Sequence, residues 1–589
     1  MIFKYLSLFL CLSLFACSDD ENIPTEEKPT TPQGEPMEDT PIVQKDYISN
    51  PSLWTGPSLS NDGFVVEIEM GAESSVRSTE RTKKSIDHYN MGVYQSPLPE
   101  IRAAEWGYTV LNLHTGQIDG AGRKINNIYL DNMASINDRK TALETIMRFV
   151  KTQYRVEDGI TPWYSMNGHH CWHHYAGATG ATVLASEIGE NIHGYQLHIA
   201  MNRGAARQYN KPWVIDFSSW HGASILDYSK TKIWKEYSGA KYGHSINLVE
   251  RSMLMSYMAG ADGVVAEGGG AICFYDDITT DDHYKLSPYG KVFQKLYQFS
   301  KANSNVGITY TPFAVLLDQF HGMDRQPSGQ QAFGKFGYNQ GDMETFNLIE
   351  TLWPQTFSVE KNGNEIGAMV NSKYPDAVDF LLQGASLDML KTYKAVMLSG
   401  DIQLTPAQIA DLRSYAAEGG VVLASDRHLD QLSFNGTGDT AIREEKVGKG
   451  KIVGFDSSAL KDILNEYLKE MLPILEATAQ SGRPLLIIAE EMLPIEVEGD
   501  VEYFVNVADG AFYVTLINND GVMKSPKTPV QFDSSKRKDI VINYKAKNSI
   551  QSVEELWNSR KVQVEGRTIK FRMLPGDCYI LKIASVNNY

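Results

Sequence analysis

Four carboxylates stand at or near the ends of predicted strands in the first half of the chain, where they could act on a bound substrate. They are Glu187, Glu190, Asp216 and Glu267. Hydrolysis of a glycosidic bond needs one carboxylic acid to protonate the leaving oxygen and a second carboxylate as nucleophile or base. The pattern fits such a pair, with Glu187 and Glu267 as the first candidates and Asp216 as the alternative nucleophile.

Each of these carboxylates also has a structural explanation that the sequence leaves open. Glu187 follows an apolar run and could cap the next helix, whereas Glu190, closer to that helix, could be stabilised by its dipole. Glu267 precedes three glycines, which would let a substrate approach the backbone, but it could instead bind local amides. Asp216 lies inside an apolar strand, where an unpaired charge is costly, so it either pairs with a cation or serves catalysis.

Four histidines lie within six residues, in the run Asn167-Gly168-His169-His170-Cys171-Trp172-His173-His174-Tyr175. On a helix, histidines four residues apart share a face, and two of them could hold zinc if a third ligand were present. No His-Glu-x-x-His arrangement occurs. We therefore predict no metal and no cofactor, and keep a metal-dependent hydrolase as a further hypothesis.

The same run is rich in groups that could bind a sugar through hydrogen bonds and ring stacking. An aromatic and a histidine just beyond Asp216 have the same character, and all of these could instead pack in a loop or rim. The predicted substrate-binding residues are Asn167, His169, His170, Trp172, His173, Trp220 and His221.

Composition limits the classes of protein that fit. The chain has 589 residues and a net charge of −17, which argues against nucleic acid as a partner because phosphate-binding surfaces are basic. Beyond the first segment only Cys171, Cys273 and Cys578 remain, an odd number without zinc-finger or disulfide spacing. Cys171 as a nucleophile is an alternative, but buried thiols are common.

The elements that must hold these residues alternate between short strands and helices from about residue 47 to 308. The clearest units run from Thr182–Ala185 through a helix at Tyr195–Tyr209 to Trp213–Phe217, and from a helix at Ser245–Ala259 to Gly263–Gly268. Repeated βα units over about 260 residues predict a (β/α)8 TIM barrel. A doubly wound open sheet is the competing architecture.

Two further blocks follow. Residues 309–492 contain buried strands at Ala314–Asp318, Ala395–Asp401 and Gly419–Ser425, with a helix starting near Thr405, and this pattern predicts a flavodoxin-like domain. Residues 493–589 show alternating strands and an Asn518–Gly521 turn, typical of an all-β domain, a β-sandwich.

The first residues form a short apolar run, Leu6–Ala16, which ends at Cys17. The run fits a secretory signal, and Leu14–Cys17 resembles the lipobox of bacterial lipoproteins, so residues 1–17 are predicted to be a signal peptide with a lipidated cysteine. Ser18–Glu21 resembles the export signal of surface lipoproteins in Bacteroidota. Residues 18–46 are rich in Pro, Thr and acidic residues and are predicted to be a disordered tether. We expect an outer membrane lipoprotein exposed at the cell surface, with the lipid as its only membrane contact.

Several segments resemble the β-galactosidases of glycoside hydrolase family 42. Met573–Leu581 is similar to their last strands, Ala259–Val264 to the passage into their eighth barrel strand, and Lys211–Asp216 to the strand that carries their nucleophile. The resemblance implies a barrel followed by an amidotransferase-like domain and a β domain, and a poly- or oligosaccharide substrate. It also implies a possible homo-oligomer through the middle domain.

The chain departs from that family in its Asn-Glu pair, which in the family ends the fourth strand. Here the pair occurs only at Asn364-Glu365 and Asn465-Glu466, outside the predicted barrel, so the resemblance implies a diverged relative. The middle block has no cysteine and cannot perform amidotransferase chemistry. A non-catalytic glycan-binding lipoprotein is the alternative function, and it predicts carboxylates more than about 10 Å apart, beyond the separation that hydrolysis uses.

Overall fold

The structure is a computed structural model in which most of the chain after residue 135 is described. The described residues are 46–48, 65–69, 89–94, 102–104, 136–153, 163–165, 171–181, 183–189, 194–218, 245–266, 283–285, 288–322, 332–333, 335–357, 369–438, 441–470, 473–480, 483–508, 510–525, 528–546 and 548–585. Within these residues no helix has the length and apolar character that crossing a membrane requires.

Within the described residues, the first part of the molecule has a seven-stranded sheet, a separate pair of strands and five helices. Its strands are β1 (Asp46–Ile48), β2 (Val65–Glu69), β3 (Tyr89–Tyr94), β4 (Arg102–Ala104), β5 (Trp163–Ser165), β6 (Val183–Gly189), β7 (Trp213–Ser218), β8 (Gly263–Ala266) and β9 (His283–Lys285). Its helices are α1 (Arg139–Gln153), α2 (Trp172–Thr179), α3 (Tyr195–Gln208), α4 (Ile246–Met258) and α5 (Pro288–Ala302).

The strand order of this sheet is β2-β3-β8-β7-β6-β5-β4, and β1 pairs separately with β9. Strands β4 to β8 are parallel neighbours in chain order, whereas β3 runs antiparallel to β8 and β2 antiparallel to β3. Through the parallel strands the order never reverses, although a reversal is what defines doubly wound sheets. The sequence also predicts two short strands at Thr109–Leu113 and Ile128–Leu130, and both lie outside the described residues.

The second part is built on a sheet whose five parallel strands have the order of flavodoxin-like folds. Its strands are β10 (Ile308–Thr309), β11 (Phe313–Leu317), β12 (Val378–Leu382), β13 (Ala395–Ser399), β14 (Val421–Ser425), β15 (Thr437–Gly438), β16 (Ile442–Val447) and β17 (Gly450–Phe455). The sheet order is β12-β11-β13-β14-β17, with β16 and β15 added antiparallel, and β10 belongs to another sheet.

Helices flank this second sheet, and one of them begins near Thr405, as the sequence predicts. They are α6 (Gln340–Leu352), α7 (Leu387–Leu390), α8 (Pro406–Ala417), α9 (Asp426–Leu429) and α10 (Leu460–Leu464), followed by a π-helix at Asn465–Glu470. Thr405 forms a capping box at the N-terminus of α8, and Pro406 lies in the first turn. Both features stabilise the start of a helix.

The third part consists of antiparallel strands. They are β18 (Pro473–Gln480), β19 (Arg483–Met492), β20 (Ile495–Glu498), β21 (Glu502–Ala508), β22 (Ala511–Ile517), β23 (Val522–Ser525), β24 (Thr528–Phe532), β25 (Lys538–Tyr544), β26 (Ile550–Glu555), β27 (Gln563–Glu565), β28 (Thr568–Met573) and β29 (Cys578–Ser585). The two larger sheets have the orders β10-β21-β22-β29-β26 and β20-β25-β28-β27. Phe512 of one sheet meets Tyr544 of the other at 6.4 Å between ring centroids, so the sheets pack on each other.

A buried ionic network joins the first and second parts. Arg203 on α3 donates from Nε to Asp379 Oδ1 at 2.6 Å and from Nη2 to Asp376 Oδ1 at 3.5 Å. Arg207, one turn later, also bonds to Asp379. Burial alone would raise the pKa of Asp379, but the guanidinium groups of Arg207 and Arg203 hold that pKa below its ordinary value. These charges therefore tie α3 to the edge of the flavodoxin-like sheet.

Candidate active site

Two neighbouring parallel strands carry the carboxylates that the structure describes. Glu187 on β6 and Asp216 on β7 are register partners. Each lies two residues before the last residue of its strand. The predicted strand ended before Ser186, but β6 continues to Gly189, so Glu187 lies within a strand rather than at a helix cap.

Both carboxylates point away from the helices. Leu184, Ile188, Ile215 and Phe217 belong to the main hydrophobic core with residues of α3, α4 and α5, and Phe217 meets Tyr289 of α5 at 6.0 Å between ring centroids. Successive side chains of a strand point to opposite faces. Glu187 and Asp216 alternate with these core residues and therefore share the opposite face of the sheet.

The two side chains start from neighbouring backbone positions on this shared face. Glu187 and Asp216 are register partners, and adjacent strands lie about 4.8 Å apart. The exposed fraction is 3% for Glu187 and 1% for Asp216. Both side chains are therefore buried in the described structure.

The remaining predicted site residues lie outside the described part of the chain. Glu267 immediately follows Ala266, the last residue of β8. Ala266 is the register partner of Phe217 on β7. The other residues that are not described are Glu190, Asn167, His169, His170, Trp220, His221 and the lipidation site Cys17.

His173 is a buried partner of the strand that carries Glu187. Its Nε2 lies 2.7 Å from the hydroxyl of Ser186, the residue before Glu187. Burial, with His198 and His174 nearby, lowers the pKa of His173 well below its ordinary value, so the ring is neutral at pH 7. We did not predict a contact of Ser186 from the sequence, because the run Leu184-Ala185-Ser186-Glu187-Ile188 does not alternate between polar and apolar residues.

The predicted sugar contacts of Trp172 and His173 stay a prediction, and both side chains are buried. Trp172 is 1% exposed and His173 is not exposed, and both lie in the first turn of α2, which contacts β6 and α3. His174 donates from Nε2 to the carbonyl of Phe380 at 2.8 Å, across to the flavodoxin-like sheet. These side chains join elements of the protein.

Two other chemistries find no support in the described residues. No group of three or more His, Cys, Asp or Glu side chains in the described ranges is arranged to hold a metal ion. Cys171 is fully buried, and burial raises the pKa of its thiol. A protonated, inaccessible thiol is a poor nucleophile, so Cys171 belongs to the core.

Among solved structures, the chain is similar to enzymes of glycoside hydrolase family 42. One is an exo-carrageenase of Bacteroides ovatus, with a TM-score of 0.43 and 12% identity over 76% of this chain and 55% of that chain. Another is a β-galactosidase of G. stearothermophilus, with a TM-score of 0.44 and 10% identity over 76% of this chain and 67% of that chain. The chain is also similar to an α-L-fucosidase of Paenibacillus thiaminolyticus, with a TM-score of 0.40 and 12% identity over 76% of this chain and 71% of that chain.

The chain thus spans about half the length of the exo-carrageenase and about two thirds of that of the β-galactosidase. No family model matches the chain. These similarities are distant, and activity and substrate are argued below from the chain's own residues.

Proposed function

We propose that the protein is a glycoside hydrolase that cleaves a poly- or oligosaccharide with Glu187 and Asp216. The observation that carries this proposal is that the two carboxylates are register partners on one face of adjacent parallel strands. A non-catalytic glycan-binding protein has no need of such a pair. We further propose that the parallel strands belong to a (β/α)8 barrel, because their unreversed order fits a barrel and its active site lies at the C-terminal ends of the strands.

The roles follow from the chemistry of the pair. Glu187, in its acid form, would donate a proton to the glycosidic oxygen as the bond breaks, and Asp216 would attack the anomeric carbon to form a glycosyl ester. Glu187 would then take a proton from water as that water hydrolyses the ester. This is the retaining course, and a carboxyl separation of about 5–5.5 Å is what it requires. Glu267, next to β8, is the alternative nucleophile.

Single carboxamide variants test these roles. We expect Glu187→Gln to slow cleavage of natural linkages by about 10²–10⁴-fold, the usual cost of losing a general acid, and to slow activated aryl glycosides much less, because their leaving groups need no proton. Asp216→Asn should slow both kinds of substrate. The measurement is the initial rate on aryl glycosides and on a polysaccharide panel with reducing-end detection, with Glu267→Gln alongside.

The control is Glu144→Gln, which changes an exposed carboxylate on α1 and should keep the wild-type rate. Circular dichroism of each variant separates loss of folding from loss of chemistry. Full activity in both Glu187→Gln and Asp216→Asn contradicts the assignment. If the wild type binds glycans of the panel and cleaves none, the protein is the glycan-binding alternative.

A further inference from the structure

A large cavity lies where the three parts of the molecule meet, and neither Glu187 nor Asp216 lines it. Its volume is about 870 Å³, within the range of sites that bind small molecules. Arg251 of α4 contributes from the first part, α6 and α10 contribute from the second, and the turn at Asn519–Met523 contributes from the third. The cavity therefore exists only in the assembled chain.

The floor of the cavity is a fixed network of amides around a buried guanidinium. Arg251 is 2% exposed, and it donates from Nε to Asn247 Oδ1 at 2.8 Å and from Nη1 to Asn519 Oδ1 at 2.6 Å. Asn519 donates in turn to the carbonyl of Val370 at 3.2 Å, and its backbone amide donates to Asn371 at 2.7 Å. These bonds connect all three parts and set the positions of the floor groups.

The carboxylates that line the cavity are occupied by the protein itself. Glu350 accepts bonds from the backbone amides of Gln355 and Phe357, both at 2.9 Å. Asp520 lies 2.7 Å and Asp500 3.6 Å from the ammonium of Lys538. Asp533, the remaining one, accepts bonds from the backbone amide and hydroxyl of Ser535 at 3.0 and 2.7 Å. Their negative charge is thus largely compensated.

The lysines that line the cavity form no close ion pair within the described ranges, although Lys536 lies near enough to Asp533 to help lower the pKa of that carboxyl. Within the described ranges, no carboxylate lies within 4.0 Å of the ammonium groups of Lys373, Lys461 or Lys536, and all three side chains are exposed. The Lys373 ammonium lies 4.8 Å from the centroid of the Tyr374 ring. The lining holds four cationic and four acidic side chains; the acids already accept bonds from the protein, so the three lysines are the charged groups open to an anionic ligand.

The remaining lining groups narrow the ligand class. Amides and a hydroxyl, from residues such as Asn347, Asn371 and Thr351, suit the hydroxyls of a sugar. The described lining has no aromatic side chain, whereas proteins that bind single-stranded nucleic acid stack bases on aromatics. The volume exceeds what one inorganic anion fills, and the three lysines come from three separate segments.

We infer that this cavity binds an acidic oligosaccharide, with its carboxylate or sulfate groups at Lys373, Lys461 and Lys536 and its hydroxyls at the amide floor. The choice of a saccharide over other organic anions rests on the proposed function. The site would hold acidic segments of a glycan apart from the hydrolytic pair.

Calorimetric titration of the full-length Glu187→Gln protein tests this inference, since that variant should bind without cleaving. The probes are a uronate oligosaccharide, a sulfated oligosaccharide, a neutral oligosaccharide of equal length and sodium sulfate. At least one acidic probe should bind, more weakly at 0.5 M salt because screening reduces charge attraction, whereas the neutral probe and sodium sulfate should not. The stronger acidic probe identifies carboxylate or sulfate as the preferred group.

Two variants locate the binding. Lys373→Gln/Lys461→Gln/Lys536→Gln should raise Kd at least tenfold, and Thr351→Trp, which fills the cavity and leaves the lysines in place, should do the same. The matched control is Lys446→Gln/Lys449→Gln/Lys561→Gln, which removes three exposed lysines elsewhere and should leave Kd within twofold.

The inference is overturned by absent binding of both acidic probes, by equal binding of the neutral probe, or by an equal loss in the control triple variant. Its failure differs from failure of the proposed function. Acidic binding without any wild-type cleavage refutes hydrolysis and keeps the site, whereas cleavage that depends on Glu187 without cavity binding refutes only the site.

Discussion

Glu502 is a single buried carboxyl whose ionisation the fold opposes. It has no exposed surface, and Gln196 of α3 donates to it from Nε2 at 3.1 Å. Burial and the neighbouring carboxyl of Asp376 raise the pKa of Glu502 well above its ordinary value, and burial raises that of Asp376 to about 6. The folded chain therefore holds protons here that the unfolded chain releases at lower pH.

This raised pKa makes stability fall as pH rises. Below the ordinary pKa of about 4.5, Glu502 is protonated in both states; above it, only the folded state keeps the proton, and the free energy of unfolding decreases. We expect Glu502→Gln, which mimics the protonated acid, to match the wild type near pH 4 and to exceed it by more than about 1.4 kcal/mol at pH 8, since each unit of pKa corresponds to about that energy.

Urea unfolding at pH 4, 6 and 8 measures the effect. Glu498→Gln changes an exposed carboxylate on the nearby strand β20 and should give a pH profile parallel to the wild type. A Glu502→Gln protein that is less stable than the wild type at pH 8 would show that the carboxylate form is favoured and that the assigned direction is wrong.

Candidate site residues could be predicted from the sequence only as far as their local pattern reaches. Glu187 and Asp216 were selected because each follows apolar strand residues, and they do lie side by side. The burial of His173 and Trp172 was not predicted, because the bond of His173 to Ser186 and the packing of α2 on β6 and α3 depend on tertiary structure, which a local pattern does not contain.

At the scale of elements, the contact of helix α3 with strand β12 depends on one glycine. A Cβ atom added at Gly204 would lie 1.9 Å from the carbonyl oxygen of Phe380 and 2.9 Å from its amide nitrogen. The obstacle is backbone, which cannot rotate away as a side chain can. The helix and strand can approach this closely because Gly204 has only a hydrogen atom in place of a side chain.

We expect Gly204→Ala to destabilise the protein by about 3 kcal/mol or more, at or beyond the upper end of overpacking effects, although alanine favours the helix itself. The matched control is Gly384→Ala, where an added Cβ meets no atom within 4 Å. Thermal unfolding compares the two variants. Equal unfolding temperatures would contradict the close approach of α3 to β12.

Helices and strands with local signals were predicted to within a few residues. Ser245 caps α4 through a bond from the amide of Leu248, and Thr405 starts α8, as the sequence indicated. Strand β6 was predicted too short because Ser186 and Glu187 are polar. Its continuation depends on pairing with β7 and on the bond to His173, neither of which a local pattern contains.

At the scale of the molecule, the network of Arg203, Arg207, Asp376 and Asp379 holds two parts together. Tyr393 donates to Asp379 at 2.9 Å, and Arg203 is 2% exposed while both aspartates are not exposed. Such a network contributes little net energy when complete, because desolvation offsets attraction. Losing one partner is costly, because it leaves a buried charge uncompensated.

Arg203→Met is therefore expected to lower the free energy of unfolding by about 3–5 kcal/mol. Arg572→Met removes an exposed arginine paired with Asp539 at 2.6 Å and should cost at most about 1 kcal/mol. Urea titration followed by fluorescence and by limited proteolysis measures both. A loss below about 1 kcal/mol in Arg203→Met would show that the network does not couple the two parts.

The pairing of β10 with β21 has a consequence for how the molecule comes into being. Ile308 and Thr309 pair with Val507 and Asn506. A short strand from the middle of the chain can therefore pair only after a strand about 200 residues later has been made. Asn506 also donates to the carbonyl of Met258 at 2.8 Å. Whether the chain leaves a ribosome or passes through a membrane channel, its N-terminal end emerges first. The earlier parts can therefore complete their contacts only when nearly the whole chain has emerged. A truncated chain that lacks β21 would leave β10 unpaired.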